Sequence, residues 1–258
     1  TTDVTGGTLY WTPYLHNLIS LHTGTGGGWI EIAQAEVSIS LVGVSTTAPT
    51  DVWGYLSAGA LVLELLVWTN DTTRATGLTR QDGVWTKTGD STRRYLGTVY
   101  GSALNTVADT EANRYVWNAD NRVARRTVTS DATASWTYAL NAFAAMNAGA
   151  AAWRVDFVRG LDEDPVDFTV QVTCSKGVGG AASVAIGMDS TTAMSADAVC
   201  GIPIPATNAG TYCARYAGNP GIGKHFLSAL QGSDDTNTAT YYGTVARRQE
   251  GVACLIVC

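Results

Sequence analysis

The sequence predicts an all-β protein, a sandwich or jelly-roll-like stack of many short antiparallel strands with little helix. Three observations predict it. Apolar and polar residues alternate with a period of two in segment after segment, and Gly, Asn, Asp, Ser and Thr bound those segments. The chain carries 28 glycines and only 15% charged residues, against roughly 25% in an average soluble domain. Almost no segment combines helical periodicity with helix start and stop signals. The 258 residues suit one large all-β domain or two smaller ones. Residues 1–28 read as an N-terminal arm or first strands, a candidate docking segment. Residues 29–258 read as the main β domain, with a cysteine-bearing C-terminal part.

The elements follow in order. "TLYWTPYLHNLISLH" is strand-like, and "TGTGGGW" after it is a turn-forming loop. In "WIEIAQAEVSISLVGV" the alternation is clean from Glu36, with Val37, Ile39 and Leu41 on one face. "DVWGYL" and "LVLELLVWT" are the next pair, with "SAG" as their turn. The second of these is almost continuously apolar, which predicts a strand covered on both sides. "GVWTKT" and "RRYLGTVYG" form a hairpin around "GDS". Strict alternation puts Tyr95, Gly97 and Val99 on one face and Leu96, Thr98 and Tyr100 on the other. Lys87, Asp90, Arg93 and Arg94 fall at the turn end, where water is expected to solvate them.

"VADTEAN" has room for a short helical turn, and "RYVWNADNRVARRTVTS" and "SWTYAL" follow as strands. Asn141–Trp153 is Ala-rich, so propensity favours helix, while its Asn and Gly punctuation favours a loop. "AWRVDFVRGL" and "DFTVQVTCS" alternate, the latter with Phe168, Val170 and Val172 inward. "ASVAIGMD", "YYGTVARR" and "VACLIVC" complete the set.

Charge narrows the function classes. A net charge of −6 disfavours contact with phosphate backbones, so no nucleic-acid partner is expected. The longest apolar run, Ala60–Trp68, is too short to span a bilayer and contains Glu64, so no membrane insertion is expected. The N-terminus has no basic region followed by an apolar stretch. The chain therefore reads as soluble and made in a cytoplasm, without a signal peptide.

Chemistry-bearing residues are sparse. His16 and His22 would lie roughly 20 Å apart on one strand, too far for one metal. His225 has no G-x-S-x-G partner, and nothing marks Ser228 as a nucleophile. No catalytic residue and no cofactor motif is identified. The acidic knot "LDEDPVD" is the best of weak cation candidates, with Asp162, Glu163, Asp164 and Asp167 as oxygen donors. A solvated hairpin loop explains it more simply, and paired glycosidase carboxylates are less favoured still.

Eight Trp and 11 Tyr against four Phe suggest hydrogen-bonded apolar surfaces, as in subunit interfaces and sugar platforms. Trp11, Tyr14, Tyr241 and Tyr242 lie in loop-rich stretches and are the candidates for glycan or interface contact. Trp53, Trp68, Trp117, Trp136 and Trp153 are expected in the core. The five cysteines are Cys174, Cys200, Cys213, Cys254 and Cys258. Cys254 and Cys258 would sit about 13 Å apart on an extended strand and could not bridge each other. Either the thiols are buried and reduced, or they form disulfides, with Cys200–Cys213 the expected pair and Cys258 a candidate intersubunit link.

Four strings carry a resemblance. "LELLVWTNDTTRATGLTRQDGVWTKTGDSTRRYLGTVYG", "NRYVWNADNRVARRTVTSDATASWTY", "VAIGMDSTTA" and "GNPGIGKHFLSAL" resemble a family of bacteriophage virion proteins, of the tail, tail-fibre-like or head-associated decoration kind. The similarity covers most of Leu63–Leu230. It leaves out the N-terminal unit and the cysteine-bearing tail. It implies a β-rich trimer exposed on the virion, in contact with capsid, neck or tail proteins. It brings no catalytic motif. The expected role is structural, with a carbohydrate-binding host-recognition module as the alternative and a host surface glycan as its partner.

Overall fold

The computed structural model describes residues 4–177, 180–200, 209–234, 238–246 and 248–257. The fold is all-β, built of many short strands that pair antiparallel almost throughout. The exception is the short parallel pairing of Asn113–Arg114 with Arg154–Arg159. The only helical turns among the described residues are two short 3-10 segments, Met146–Gly149 and Ala151–Trp153.

The described residues form three larger sheets and two hairpin-like pairs. A middle sheet of six strands runs Ala60–Val67, Thr50–Ser57, Asp90–Val99, Val84–Lys87, Leu78–Gln81, with Val116–Asn118 also on Asp90–Val99. A central sheet of eight strands is organised around Arg154–Arg159 and the long Gly223–Ser233, which also pairs with Ala182–Met188. A C-terminal sheet of seven strands is organised around Val166–Lys176, flanked by Gly210–Gly218 and Gly251–Val257. The N-terminal unit supplies the two small pairs. Thr8–Trp11 pairs with Val37–Ser40, and Leu18–His22 pairs with Trp29–Ala33. Both pairings cross residue 28, joining the N-terminal arm to the segment after it.

Turn chemistry explains the hairpins. Between Thr50–Ser57 and Ala60–Val67, Ala58 (φ 49°) and Gly59 (φ 83°) both adopt the left-handed region a two-residue turn requires. Apolar side chains from all three sheets then merge in one core, which includes Trp53, Trp117, Trp153, Phe157, Phe168 and Tyr241. Phe168, Val170 and Val172 point inward as the alternation predicts.

Several expectations need correction. Ala60–Val67 is covered on one face and not on both: Leu61 and Leu63 are buried, whereas Val62 and Glu64 on the opposite face are only half-buried, and the strand lies at the sheet edge. Its Glu64 pairs with Lys87 (3.2 Å) and Arg93 (3.0 Å). Those cations are therefore tied across the sheet rather than solvated at a hairpin end. Strict alternation also fails in Asp90–Val99, because a bulge between Tyr95 and Gly97 inserts one residue. Tyr95 and Thr98 consequently share a face, with their hydroxyls 2.6 Å apart. The segment "VADTEAN" holds strand Thr106–Asp109 and a turn, with no helical turn. Asn141–Trp153 becomes a strand fragment and the two 3-10 turns, with Asn147 and Ala148 at positive φ.

The packing of the middle sheet on the central one centres on a buried ionic knot. Arg74, from the loop after Ala60–Val67, donates from Nε to Asp51 Oδ2 (2.9 Å) and from Nη2 to Tyr95 Oη (3.1 Å) and the Gly160 carbonyl. Thr98 donates to the other Asp51 oxygen at 2.7 Å. The guanidinium also lies 4.4 Å from the Trp68 ring centroid. Burial pushes the Asp51 carboxyl up, opposed by the Arg74 charge and the Thr98 hydrogen bond. Gly160 has to be glycine here, since a Cβ would collide with the Tyr95 hydroxyl.

Candidate ligand groove

A wide concavity lies where the N-terminal unit meets the middle sheet. It is a groove of about 560 Å³, within the roughly 300–1,000 Å³ typical of small-ligand sites. One wall is the connector from Thr12 to His16. The other is the turn Asn118–Asn121 together with Arg94, and Ile19 and Leu96 give it an apolar floor. A narrower slot of about 80 Å³ shares Tyr10, Trp11, Leu96 and Asn118 with it and runs between Val52, Leu63 and Val99.

Local sequence explains each wall. Pro13 interrupts the pairing of Thr8–Trp11, so the chain leaves the sheet and turns before Leu18–His22. That connector carries Tyr14 and Leu15 at 76% and 85% exposure, while Tyr10 on the strand is 58% exposed. His16 Nδ1 accepts from the Leu18 amide (3.1 Å), which places the ring proton on Nε2. On the opposite wall Asn118 Oδ1 accepts from the amides of Asp120 and Asn121, both at 2.9 Å, an Asx turn that projects both following side chains outward. Arg94 donates to Asp120 Oδ2 and to the Ser20 carbonyl, each at 2.9 Å. One arginine thus ties the two walls together. Glu31 lines the rim, and Ser20 Oγ donates to it at 3.4 Å.

Trp11 and Tyr14 both line this groove, Trp11 half-buried and Tyr14 exposed. Tyr241 is a correction: it is fully buried, its ring stacked on Trp136 at 6.0 Å and its hydroxyl 2.6 Å from the Gly232 carbonyl and 2.9 Å from the Ser183 carbonyl. It cannot meet a ligand. Tyr242 is half-buried beneath the Arg248 guanidinium (5.0 Å) and lies away from the groove. Trp53, Trp68, Trp117 and Trp153 are core residues, and Trp136 packs half-buried against the same core.

The acidic knot is held by arginines. Arg122 binds Glu163 and Asp164 (2.8 Å to the latter), Arg159 lies 3.9 Å from Asp162, and Arg215 grips Asp167 through two nitrogens. No group of three or more metal-ligating side chains occurs among the described residues. His225, 5% exposed at its side chain, is fixed by Asp189 (2.7 Å) and the Ile222 carbonyl. Ser228 lies three strand positions away, on the opposite face of the strand from His225.

The disulfide expectation is overturned: no disulfide joins any of the described cysteines. Cys200 stands opposite Ala214 in the ladder and so shares its inward face, whereas neighbouring Cys213 points to solvent. The two sulfurs lie on opposite sides of the sheet. Cys174 and Cys254 are both buried on the inner face. Cys254 pairs with Phe168, six residues along the strand from Cys174, a separation of roughly 20 Å. Burial pushes the Cys174 thiol up to about 12, with the Glu250 charge adding to it, so it stays protonated. Cys258 lies outside the described residues.

Tyr10, Asp120 and Asn121 were not singled out from the sequence, and Arg94 was read there as a solvated turn-end charge. The "WNADN" string holds the usable signal, since Asn-x-Asp-Asn after a strand is turn chemistry with projecting polar groups.

No protein-family model and no curated protein matches the chain. Among solved structures, the insecticidal delta-endotoxin Cry8Ea1 of Bacillus thuringiensis aligns at 9% identity and a TM-score of 0.26, covering 100% of this chain and 52% of the toxin. The mosquito-larvicidal Cry4Aa toxin of the same organism aligns at 7% identity and a TM-score of 0.24, covering 98% of this chain and 49% of the toxin. The chain spans about half the length of these toxins. Superpositions this loose define neither its fold nor its activity. No helix among the described residues is long and apolar enough to cross a membrane.

Proposed function

We propose that this chain is a structural component of a bacteriophage particle, exposed on the virion as a decoration, neck or tail-fibre-like protein. It acts as a trimer with a jelly-roll-like stack of sheets, stabilising the particle and contacting capsid, neck or tail proteins. It works by binding and not by catalysis.

The observation that carries the reading is where the family-like strings fall. "LELLVWTNDTTRATGLTRQDGVWTKTGDSTRRYLGTVYG" holds most of the middle sheet, and "RYVWN" adds Val116–Asn118 to the same sheet. "VAIGMDSTTA" and "GNPGIGKHFLSAL" pair with each other in the central sheet. Arg74 and Tyr95, from the first string, bind across to Gly160 in the loop after the central strand Arg154–Arg159. The strings thus tie two packed sheets together, and the rest of the second string reaches the C-terminal sheet through Ala124–Ser130 and Ser135–Tyr138. Outside the strings, the N-terminal unit forms the two small pairs and adds Val4–Gly6 to the central sheet, and the cysteine-bearing Gly251–Val257 lies in the C-terminal sheet. The carboxylates that would serve a hydrolase, Asp162, Glu163 and Asp164, are tied to arginines.

The test is assembly. Analytical ultracentrifugation of the purified chain is expected to give a trimer, and the trimer is expected to co-sediment with particles lacking it. A monomer at high concentration that leaves particles unbound refutes the proposal.

A second reading, carbohydrate recognition at the host surface, is supported by the groove. Exposed Tyr10 and Tyr14 rings stand beside Asp120, Asn121 and Glu31, the pairing of apolar platform and hydroxyl-binding groups that a sugar needs. The two readings are compatible, since a virion surface protein can carry a receptor site.

A further inference from the structure

The groove's charges carry the carbohydrate reading further. Two carboxylates, Asp120 and Glu31, line it against one guanidinium, Arg94. That guanidinium is engaged on both terminal nitrogens, by Asp120 and by the Ser20 carbonyl, and its Nε is buried. Asp120 is 56% exposed at its side chain, so its carboxylate faces the groove while Arg94 holds it in place. A sugar carboxylate, sulfate or phosphate entering here would meet two negative charges, with the one guanidinium already engaged and the His16 imidazole the remaining basic side chain on the lining. A sugar hydroxyl would find charge-assisted acceptors at Asp120 and Glu31. The exposed Tyr14 and Tyr10 rings offer flat apolar faces for the C–H side of a pyranose.

We infer that this groove binds neutral oligosaccharide and discriminates against anionic glycans: the tyrosines stack on the sugar rings, Asp120 and Glu31 accept their hydroxyls, and Arg94 is a positioning residue for Asp120. The inference rests on the carbohydrate reading above. It adds the class of sugar and the side chains that choose it.

Titration calorimetry of the full chain with mannotriose and chitotriose as neutral probes, and trigalacturonate as the anionic one, tests it. The neutral trisaccharides are expected to bind and trigalacturonate to bind at least about tenfold more weakly. Tyr14→Ala and Asp120→Asn should each weaken neutral binding by about tenfold. Both residues are exposed, and unchanged melting curves would show that each variant is folded. Arg94→Lys, which keeps the charge but loses the fork that joins Asp120 to Ser20, should weaken neutral binding as well. Preference for trigalacturonate, lost in Tyr14→Ala, would overturn the neutral selectivity while leaving carbohydrate recognition standing. Neutral binding untouched by all three variants would place the sugar elsewhere and overturn this site. Absence of binding to any probe at millimolar concentration, with folded protein, would overturn the carbohydrate reading itself.

Discussion

Arg74→Ala is the substitution with the most to say about how the sheets are held. The Arg74 side chain is 8% exposed and its partner Asp51 is 1% exposed, so neither charge can turn to water. Removing one member of such a buried pair costs about 3–5 kcal/mol, because the other is left desolvated and alone. For a chain of this length that corresponds to a fall in melting temperature of roughly 6–15 °C. The loss should also depend on pH in a defined direction. Burial already raises the Asp51 carboxyl, and Arg74 is the strongest force opposing that rise. Without Arg74 its folded value climbs further above its unfolded one. Between those two values the folded state binds the extra proton, so the variant gains stability as pH falls. The gap between wild type and Arg74→Ala should therefore narrow from pH 8 to pH 5. Asp51→Asn combined with Arg74→Met should recover about half of the loss or more, because neither charge is then buried. Denaturant melts of the three proteins at both pH values give the measurement. A loss below about 1 kcal/mol, or a gap that widens on acidification, would refute the reasoning.

Other predictions test separate parts of the fold. Asp131 accepts from Thr133 N–H (2.8 Å), Asn147 Nδ2 (2.6 Å) and Trp153 Nε1 (2.6 Å); burial works against its charge, yet these donors hold its carboxyl below the usual range. Its contribution is present above the ordinary value of about 3.9 and is lost as pH falls through the folded value, so Asp131→Asn should flatten the acid limb of a stability–pH curve. Tyr241→Phe leaves two buried carbonyls without their hydroxyl and should cost about 1–3 kcal/mol in urea melts. In native protein a maleimide should label Cys213 rapidly and Cys174 only after unfolding, as followed by peptide mass analysis.

Alternation made most of the strands legible. Phe168, Val170 and Val172 point inward because a pleated strand with one buried face leaves no other register. The turns at Ala58–Gly59 and Gly89 were legible because positive φ favours glycine and short residues. Three things were hidden. The bulge at Leu96 reverses faces without any local marker, so the Tyr95–Thr98 contact was invisible. The Ala-rich stretch stood open between helix and loop because propensity counts side chains one at a time, whereas here Asp131 and Gln231 bind Asn147 and fix the left-handed turn. The groove was half visible: Trp11 and Tyr14 stood out as aromatics beside a proline, but Arg94 and Asp120 belong to it only through tertiary packing. Tyr241 misled because its neighbours read as loop while its own strand, Ala239–Tyr242, pairs with the core strand Val166–Lys176.

Membership of a phage particle is tested most directly by quantitative mass spectrometry of gradient-purified virions. The account predicts this chain in intact particles at a copy number divisible by three, accessible to surface proteolysis or antibody. Its absence from purified virions, with the chain found only in lysed host cells, would contradict it.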